Sequence, residues 1–292
     1  MKEQVSRKAG SGTLYVCATP IGNLADASRR LVETLRAVDV VAAEDTRVAR
    51  RLLNALGVGE KALVSFHEHN KWERLPEILS MLEEGKSVAL VTDAGMPAIS
   101  DPGWELVKAA LDRGVKVTVV PGPSASISAL VVSGIRPCPF TFLGFLPRER
   151  KERKEALARV ATRPETLVIY EAPHRIEECL EDILDVLGDR RMALVRELTK
   201  VFEEVRRGRV SEVLSSVRQN PPRGEITLVI EGAEEGEEGA PDVEKLLPRL
   251  REAYEELTKE GVAPNRALSI LAKITGISRR ELYKLLRVGE GQ

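Results

Sequence analysis

Val88-Ala89-Leu90-Val91-Thr92-Asp93-Ala94-Gly95-Met96-Pro97-Ala98-Ile99-Ser100-Asp101-Pro102-Gly103 is a short apolar run that breaks into a turn of Gly, Pro, Ser and Asp. A run of four apolar residues bounded by turn formers predicts a buried strand. The same construction occurs twice more. Leu14-Tyr15-Val16-Cys17 leads into Ala18-Thr19-Pro20-Ile21-Gly22-Asn23-Leu24, and Val117-Thr118-Val119-Val120 leads into Pro121-Gly122-Pro123-Ser124-Ala125-Ser126. Buried strands that end in tight turns before helices describe an α/β sheet, whose ligands sit outside the carboxyl ends of its strands. None of these turns is a phosphate loop: no G-x-x-x-x-G-K-[ST] occurs, and no G-x-G-x-x-G follows a strand. A nucleotide held by its phosphates is therefore disfavoured.

Working outward, strand and helix patterns alternate from Thr13 to about Ser133. Predicted strands lie at Thr13–Cys17, Val38–Ala42, Ala62–Phe66, Ser87–Val91 and Lys116–Val120, with helices between them. Asp101 is expected to cap the helix that runs to Asp112, with Pro102 in its first turn, and Ser124 to cap the helix to Ser133. A Pro-rich break at Gly134–Pro139 follows. A second set of elements then runs from Phe140 to Glu231. Two of its predicted strands, Met192–Leu198 and Phe202–Arg207, are adjacent, which implies a mixed sheet. The expected organisation is an N-terminal α/β lobe over 13–135, a second α/β lobe over 140–232, a Gly/Glu-rich linker over 233–242, and a helical tail over 243–292.

In the tail, two short helices around Thr275-Gly276-Ile277 make a helix-turn-helix shape, which is equally the shape of a plain helical hairpin packed on the body. Between Arg266 and Arg287 the charges are Arg266, Lys273, Arg279, Arg280, Lys284 and Arg287 against Glu281 alone. That basic face favours nucleic acid. It is local, because Lys and Arg (44) almost cancel Asp and Glu (45) over the 292 residues. Three separated cysteines with no C-x-x-C pair suit a reducing compartment. The polar segment before Gly12 lacks the apolar run of a signal peptide, and no stretch reaches the length of a membrane span. A cytoplasmic protein is expected.

Nine short motifs, in order, carry a family resemblance: T-P-I-G-N-L-A-D (19–26), A-A-E-D-T-R (42–47), H-E-H-N (67–70), D-A-G-M-P-x-I-S-D-P-G (93–103), P-G-P-S-A (121–125), G-F-L-P-R (144–148), Y-E-A-P-H-R (170–175), R-E-L-T-K (196–200) and G-E-I-T-L-V-I-E-G (224–232). The chain resembles the small-subunit rRNA (cytidine-2′-O)-methyltransferases of the tetrapyrrole methylase superfamily. The resemblance implies a class III methyltransferase fold of two α/β lobes, plus the helix-turn-helix-like tail, assembled as a homodimer. It also implies S-adenosylmethionine in the cleft between lobes, and methylation of the ribose 2′-oxygen of a decoding-centre cytidine in 16S rRNA of the small ribosomal subunit. By the same resemblance Pro20, Asp93, Gly95, Met96, Ile99, Ser126, Ile127 and Tyr170 form the cofactor pocket.

Methyl transfer aligns an acceptor oxygen with the methyl carbon and sulfur, and a ribose hydroxyl becomes nucleophilic only as its proton leaves. The motifs offer Glu44, Asp45, His67, His69, Glu171, Glu197 and Glu225 as bases, with Arg196 and Lys200 to stabilise anionic oxygen. Glu171, Arg196 and Glu197 are the expected catalytic set, Glu171 and Arg196 because each follows an apolar run at the carboxyl end of a strand. For Glu171 and Arg196, a salt bridge between neighbouring strands competes with that role. His67 and His69 are two apart, but no third ligand accompanies them, so no metal is expected. Arg47, His69, Arg148, Arg279, Arg280 and Lys284 are the expected RNA contacts. Two other functions fit parts of the sequence: methylation of a tetrapyrrole, which the E-D-T-R turn and basic tail disfavour, and a non-enzymatic DNA-binding regulator, which leaves the turns without chemistry.

Overall fold

The structure, a computed structural model, describes residues 12–233, 243–275 and 277–287. The chain divides into two units. One takes the residues up to Ala158 together with Glu165–Glu231, and the other takes Arg159–Pro164 together with the residues from Gly232 onward. Apart from Ala233, the expected linker over 233–242 lies outside the described residues.

The larger unit contains two five-stranded sheets. The first is built from β1 (Thr13–Cys17), β2 (Val40–Ala43), β3 (Ala62–Ser65), β4 (Val88–Val91) and β5 (Lys116–Val120), in the order β3-β2-β4-β1-β5. All its pairings are parallel. Every residue of β2 and β4 is buried, as central parallel strands covered on both faces require. Helices α1 (Arg29–Ala37) and α2 (Thr46–Ala55) cover one face, where Leu31, Leu35 and Leu53 meet Cys17, Val41 and Ala89. Helices α3 (Lys71–Glu83) and α4 (Trp104–Asp112) cover the other, where Ile78, Leu82 and Leu106 meet Leu14, Val40 and Leu90. Because the strands are parallel, the turns that follow β1, β2, β4 and β5 emerge on one side of the sheet.

The second sheet is mixed, as the adjacency of two strands implied. Its order is β6 (Phe140–Phe145), β7 (Thr166–Glu171), β10 (Ile226–Ile230), β8 (Arg191–Arg196), β9 (Glu204–Arg209). β6 and β7 are parallel, while β10 runs antiparallel to both neighbours and β8–β9 is antiparallel. The reversal of β10 brings its first residues, from Gly224 on, beside the carboxyl ends of β7 and β8: Ile226 pairs with both Glu171 and Arg196. Helices α6 (Arg150–Ala158), α7 (Ile176–Leu187) and α8 (Val210–Gln219) belong to this half.

Helix α5 (Ala125–Ser133) links the halves. Sequence places it in the lobe over 13–135, yet its Ala129 and Leu130 pack against Val168, Ala193, Val195 and Val229 of the second sheet. The helix is apolar on nearly every face, so neither sheet is excluded by its pattern.

In the smaller unit α9 (Val243–Lys259), α10 (Pro264–Thr275) and α11 (Arg279–Arg287) enclose Leu250, Leu268, Leu271, Ile277 and Leu282. Ser278 caps α11 by accepting the Glu281 N–H at 3.2 Å.

Candidate active site

The turn after β1 and the turn after β4 are tied together by their backbones. Thr19 N–H donates to Gly95 O at 2.9 Å and Gly95 N–H returns to Thr19 O at 3.2 Å. The buried Thr19 hydroxyl adds a bond to Thr92 O at 3.1 Å. Gly95 has φ +83, a left-handed conformation that glycine adopts without strain. Ala98 in the same turn also holds a positive φ of 68, a strained state for a residue with a Cβ.

These turns form one wall of a cleft of about 400 Å³. From the first sheet come Ile21, Glu44, Thr92–Met96, Ile99–Asp101, Ser124 and Ala125. From the second come Phe145, Tyr170–Pro173, Val195, Leu198 and Gly224–Thr227. Every segment is at a strand's carboxyl end, except β10, whose reversal brings its amino end there. Of the expected cofactor residues, Asp93, Gly95, Met96, Ile99 and Tyr170 line the cleft. Pro20 is buried beside Ile21, which takes the lining position instead. Ser126 sits one turn back, with its N–H donated to the Tyr170 hydroxyl at 3.1 Å. Ile127 points to an exposed face of α5 and is no part of the cleft wall.

Two capping expectations are corrected. α4 starts at Trp104 with Gly103 as its N-cap (φ +149), so Asp101 caps nothing and lines the cleft. The reason is the extra turn of Asp101-Pro102-Gly103, which a Pro-at-first-turn pattern does not distinguish from a helix start. Ser124 does occupy the N-cap position of α5, but its hydroxyl pairs with Ser126 Oγ at 3.1 Å rather than with a helix N–H.

The cleft is acidic. Glu44, Asp93, Asp101, Glu171 and Glu225 line it, and among the described residues no Lys, Arg or His does. Burial pushes the Asp101 carboxyl up to about 6, helped by the negative Glu44 and Asp93 and opposed by Thr92. Asp93 is raised for the same first reason, with Glu44 next. Its Oδ1 also accepts the Asp45 N–H at 3.2 Å.

The three expected catalytic residues lie at the cleft's edge. Along β7, alternation directs Tyr170 to the α5 side and Glu171 to the opposite side. The Glu171 carboxylate is fully buried there, accepting the Ala172 N–H at 2.7 Å and lying 3.5 Å from Arg175. Its Oε2 is buried there without a hydrogen bond, and Arg175 donates instead to the Leu146 and Pro147 carbonyls at 3.1 and 2.9 Å. Arg196 donates to Glu204 at 2.5 Å, its cross-strand partner on β9, so the inter-strand ion pair is what forms. Glu197 (φ +50) accepts from Lys200 at 3.0 Å and from the Glu225 N–H at 3.2 Å. Burial raises its carboxyl, but those hydrogen bonds outweigh it and the net shift is downward.

Among the expected RNA contacts, Arg148, Arg279, Arg280 and Lys284 are exposed. Arg47 is exposed too, though paired to Asp45 at 2.7 Å, which holds that carboxyl well below its usual range. His69 is exposed in the turn after β3, which ends at Ser65, so His67 and His69 share no strand face. Sequence reasoning singled out neither Phe145, Ser100 nor Thr227 of the cleft wall. Nothing in their residue types marks them, since each reaches the cleft through sheet order alone.

Parallel strands whose carboxyl-end turns face a mixed sheet across an acidic cleft are the architecture of a known class. The defining sequence pattern of the Tetrapyrrole (Corrin/Porphyrin) Methylases matches residues 13–214, and the chain belongs to that family. Solved structures agree on the fold. Diphthine synthase superposes with a TM-score of 0.61 at 16% identity, over 76% of this chain and 90% of that one. Uroporphyrin-III-C-methyltransferase from Thermus thermophilus gives 0.52 at 22% identity, over 75% and 94%.

Sequence relatives are more particular. The chain is 44% identical over 277 residues to ribosomal RNA small subunit methyltransferase I of Streptococcus pyogenes serotype M1, covering 95% of each. The protein of that name from Bacillus subtilis (strain 168) is 44% identical over 278 residues, 94% of each, and that from Halalkalibacterium halodurans 42% over 290 residues, 98% and 99%. Within the tetrapyrrole methylases, the chain belongs with these small-subunit rRNA methyltransferases.

Proposed function

We propose that this chain transfers a methyl group from S-adenosylmethionine to the ribose 2′-oxygen of a decoding-centre cytidine in 16S rRNA of the small ribosomal subunit. The observation that carries the reading is the acidic, apolar-walled cleft. S-adenosylmethionine is a cation at sulfur and has no phosphate, and it supplies an activated methyl group when bound. Glu44, Asp93 and Asp101 in a lining that includes no Lys, Arg or His favour such a ligand and repel phosphate. The volume is in the range of small-molecule sites. Ile21, Met96, Ile99, Val195 and Leu198 offer apolar surface, and the Gly95 turn offers close backbone.

In this reading Asp93, Gly95, Met96, Ile99 and Tyr170 hold the donor, while Pro20 and Ser126 support the turns that carry them. Ile127 is reassigned. With Val131 one turn further along α5, it presents exposed apolar surface for a second copy of the chain. Glu171 and Glu197 act by positioning the cleft walls, and Arg196 by bracing β8 against β9. Phosphates of the RNA stay outside the acidic cleft, against exposed Arg148 and the basic tail residues Arg279, Arg280 and Lys284. The place of work is the cytoplasm, and no helix among the described residues is long and apolar enough to cross a membrane.

The test is methyl transfer from labelled S-adenosylmethionine to small subunits that lack the modification, with naked 16S rRNA and a porphyrin precursor in parallel. Label recovered as 2′-O-methylcytidine after nuclease digestion is the expected result. Label on a base, or on the tetrapyrrole alone, sinks the proposal. Light scattering on the same preparation reads the homodimer.

A further inference from the structure

Two glycines, one beside each sheet, make room for a single ion pair. Gly22, in the turn after β1, has φ +150, and a Cβ there would lie 2.4 Å from Lys200 Cγ, 2.9 Å from Lys200 Cε and 3.1 Å from Thr199 Oγ1. Gly224, just before β10, has φ +83, and a Cβ there would lie 2.0 Å from Glu197 Oε1. Both positions need glycine for the conformation and for the space. Lys200 Nζ joins Glu197 Oε1 at 3.0 Å and Glu225 Oε2 at 3.1 Å. The lysine stem thus lies across the turn after β1, while its charge is anchored on the second sheet.

The loop that carries Lys200, between β8 and β9, is strained. Glu197 and Thr199 have φ +50 and +67, and a β-branched residue such as Thr rarely adopts such a value. Strain of this kind persists where surrounding contacts fix it, and it collects at working sites. Here Lys200 N–H donates to Glu197 O at 2.9 Å, Glu203 N–H to Lys200 O at 3.1 Å, and Thr199 N–H to Glu203 Oε2 at 2.6 Å. Leu198, between the two strained residues, lines the cleft, as do Glu225 and Ile21, the neighbour of Gly22. Lys200 is outside the lining. Two of its three N–H donors go to carboxylates, so its charge serves the wall rather than the ligand.

We propose that Lys200 is a positioning residue for the methyl donor. Its side chain clasps the 197–203 loop to the turn after β1 and so sets how far Leu198 stands from Ile21, two of the surfaces between which the donor lies. This rests on the methyl-transfer reading above. Without the clasp those walls part in a share of the molecules, and the apparent donor affinity falls with the fraction that keeps the binding form. The chemical step is spared, because Lys200 stands behind the wall. That separates this role from the stabilisation of anionic oxygen that its motif suggested.

The experiment measures S-adenosylhomocysteine affinity by calorimetry, with kcat and KM for S-adenosylmethionine on small subunits. It compares wild type, Lys200→Met, Lys200→Ala, Gly22→Ala and the double variant of Gly22→Ala with Lys200→Ala. Both Lys200 variants should bind about tenfold more weakly and raise KM to match, with kcat within a few-fold of wild type. Gly22→Ala should weaken binding through its conformation and through overlap with the Lys200 stem. Only the overlap disappears when Lys200 is Ala, so Gly22→Ala should cost less in the double variant. If Gly22→Ala does not fold, the two Lys200 variants decide alone. A fall in kcat with affinity and KM unchanged would make Lys200 a participant in the reaction and overturn the clasp. Lys200 variants that bind as tightly as wild type would overturn it too, while methyl transfer stands. If wild type binds neither ligand and methylates no RNA, both fall together.

Discussion

The Tyr170 hydroxyl, from the end of β7, accepts the N–H of Ser126 in the first turn of α5 at 3.1 Å. One of the unpaired donors that every helix start leaves is thus satisfied by a side chain from the facing sheet. Phe142 and Phe145 hold the Tyr170 ring at centroid distances of 4.9 and 5.6 Å. One hydrogen bond thus ties β7 of the second sheet to the start of α5 beside the cleft. Tyr170→Phe keeps the ring and removes the acceptor, leaving a buried N–H without a partner. The expected loss is about 1–2 kcal/mol in urea unfolding, with a several-fold weaker affinity for S-adenosylmethionine by calorimetry. An unchanged affinity would show that the tie is not part of the donor site.

Asp101 links stability to pH with a definite sign. Its folded-state value of about 6 lies above the ordinary carboxyl value of 3.8. Between those values the folded protein binds more protons than the unfolded chain, so stability falls as pH rises through the window. Asp101→Asn cannot titrate there. The variant should gain on wild type by about 1 kcal/mol from pH ~4 to pH ~7, a figure discounted for the partial exposure of the group. Chemical denaturation of both proteins at the two pH values reads the difference, and an equal gap at both would count against a raised Asp101.

Much of this arrangement is legible in the sequence because it depends on local pattern. The apolar runs within Val38–Ala42 and Ser87–Val91 read as buried strands of an α/β sheet, and the Gly and Pro turns mark the ligand side. The mixed sheet follows from two strands with no helix between them. What is not legible depends on packing between distant segments. Asp101 looks like a cap because Asp-Pro before a helix is the usual cap pattern, and only the extra Gly103 turn frees it for the cleft. Helix α5 has no polar face to say which sheet it covers. Glu171 and Tyr170 are neighbours in sequence, and only the phase of β7 against α5 decides which side chain turns toward Ser126.

The cysteines report burial directly. Burial pushes the Cys17 thiol up to about 12 despite nearby Arg30, and drives Cys179 well above its usual value, with Glu171 adding to the shift. Cys138 is exposed. Since the thiolate is the reactive form, a maleimide at neutral pH should label Cys138 rapidly and leave Cys17 and Cys179 until the protein unfolds. Mass mapping of the labelled peptides checks this. Fast labelling of Cys179 would mean that the Glu171–Arg175 region opens in the native state.

The basic tail should act through charge alone. Arg279 and Arg280 open α11, and both side chains are exposed to solvent. Reversing both to Glu should weaken binding to small-subunit RNA and flatten its salt dependence by about one log unit for each phosphate no longer neutralised. Affinity for S-adenosylmethionine should not move. Filter binding over a salt series separates the outcomes, and an unchanged slope would remove the tail from the RNA surface.

Arg153 and Asp182 form a buried pair between α6 and α7, with side chains 1% and 0% exposed. Arg153 Nε donates to Asp182 Oδ2 at 2.7 Å, and Arg150 Nε to Oδ1 at 2.9 Å. Arg153 also donates to the Arg148 carbonyl at 3.0 Å, so the pair fixes the loop that carries Phe145 at the cleft and Arg148 beyond it. Asp182→Leu would strand a guanidinium in the interior, at an expected cost of about 3–5 kcal/mol. Replacing both partners, Arg153→Met with Asp182→Leu, removes the stranded charge and should recover most of that loss. The double variant should still lose rRNA methylation relative to its stability, because the 145–148 loop keeps Arg175 as a support but no longer has Arg153. Urea unfolding and methylation assays on the single and double variants test both halves, and a double variant as active as wild type would show that Arg175 alone holds the loop.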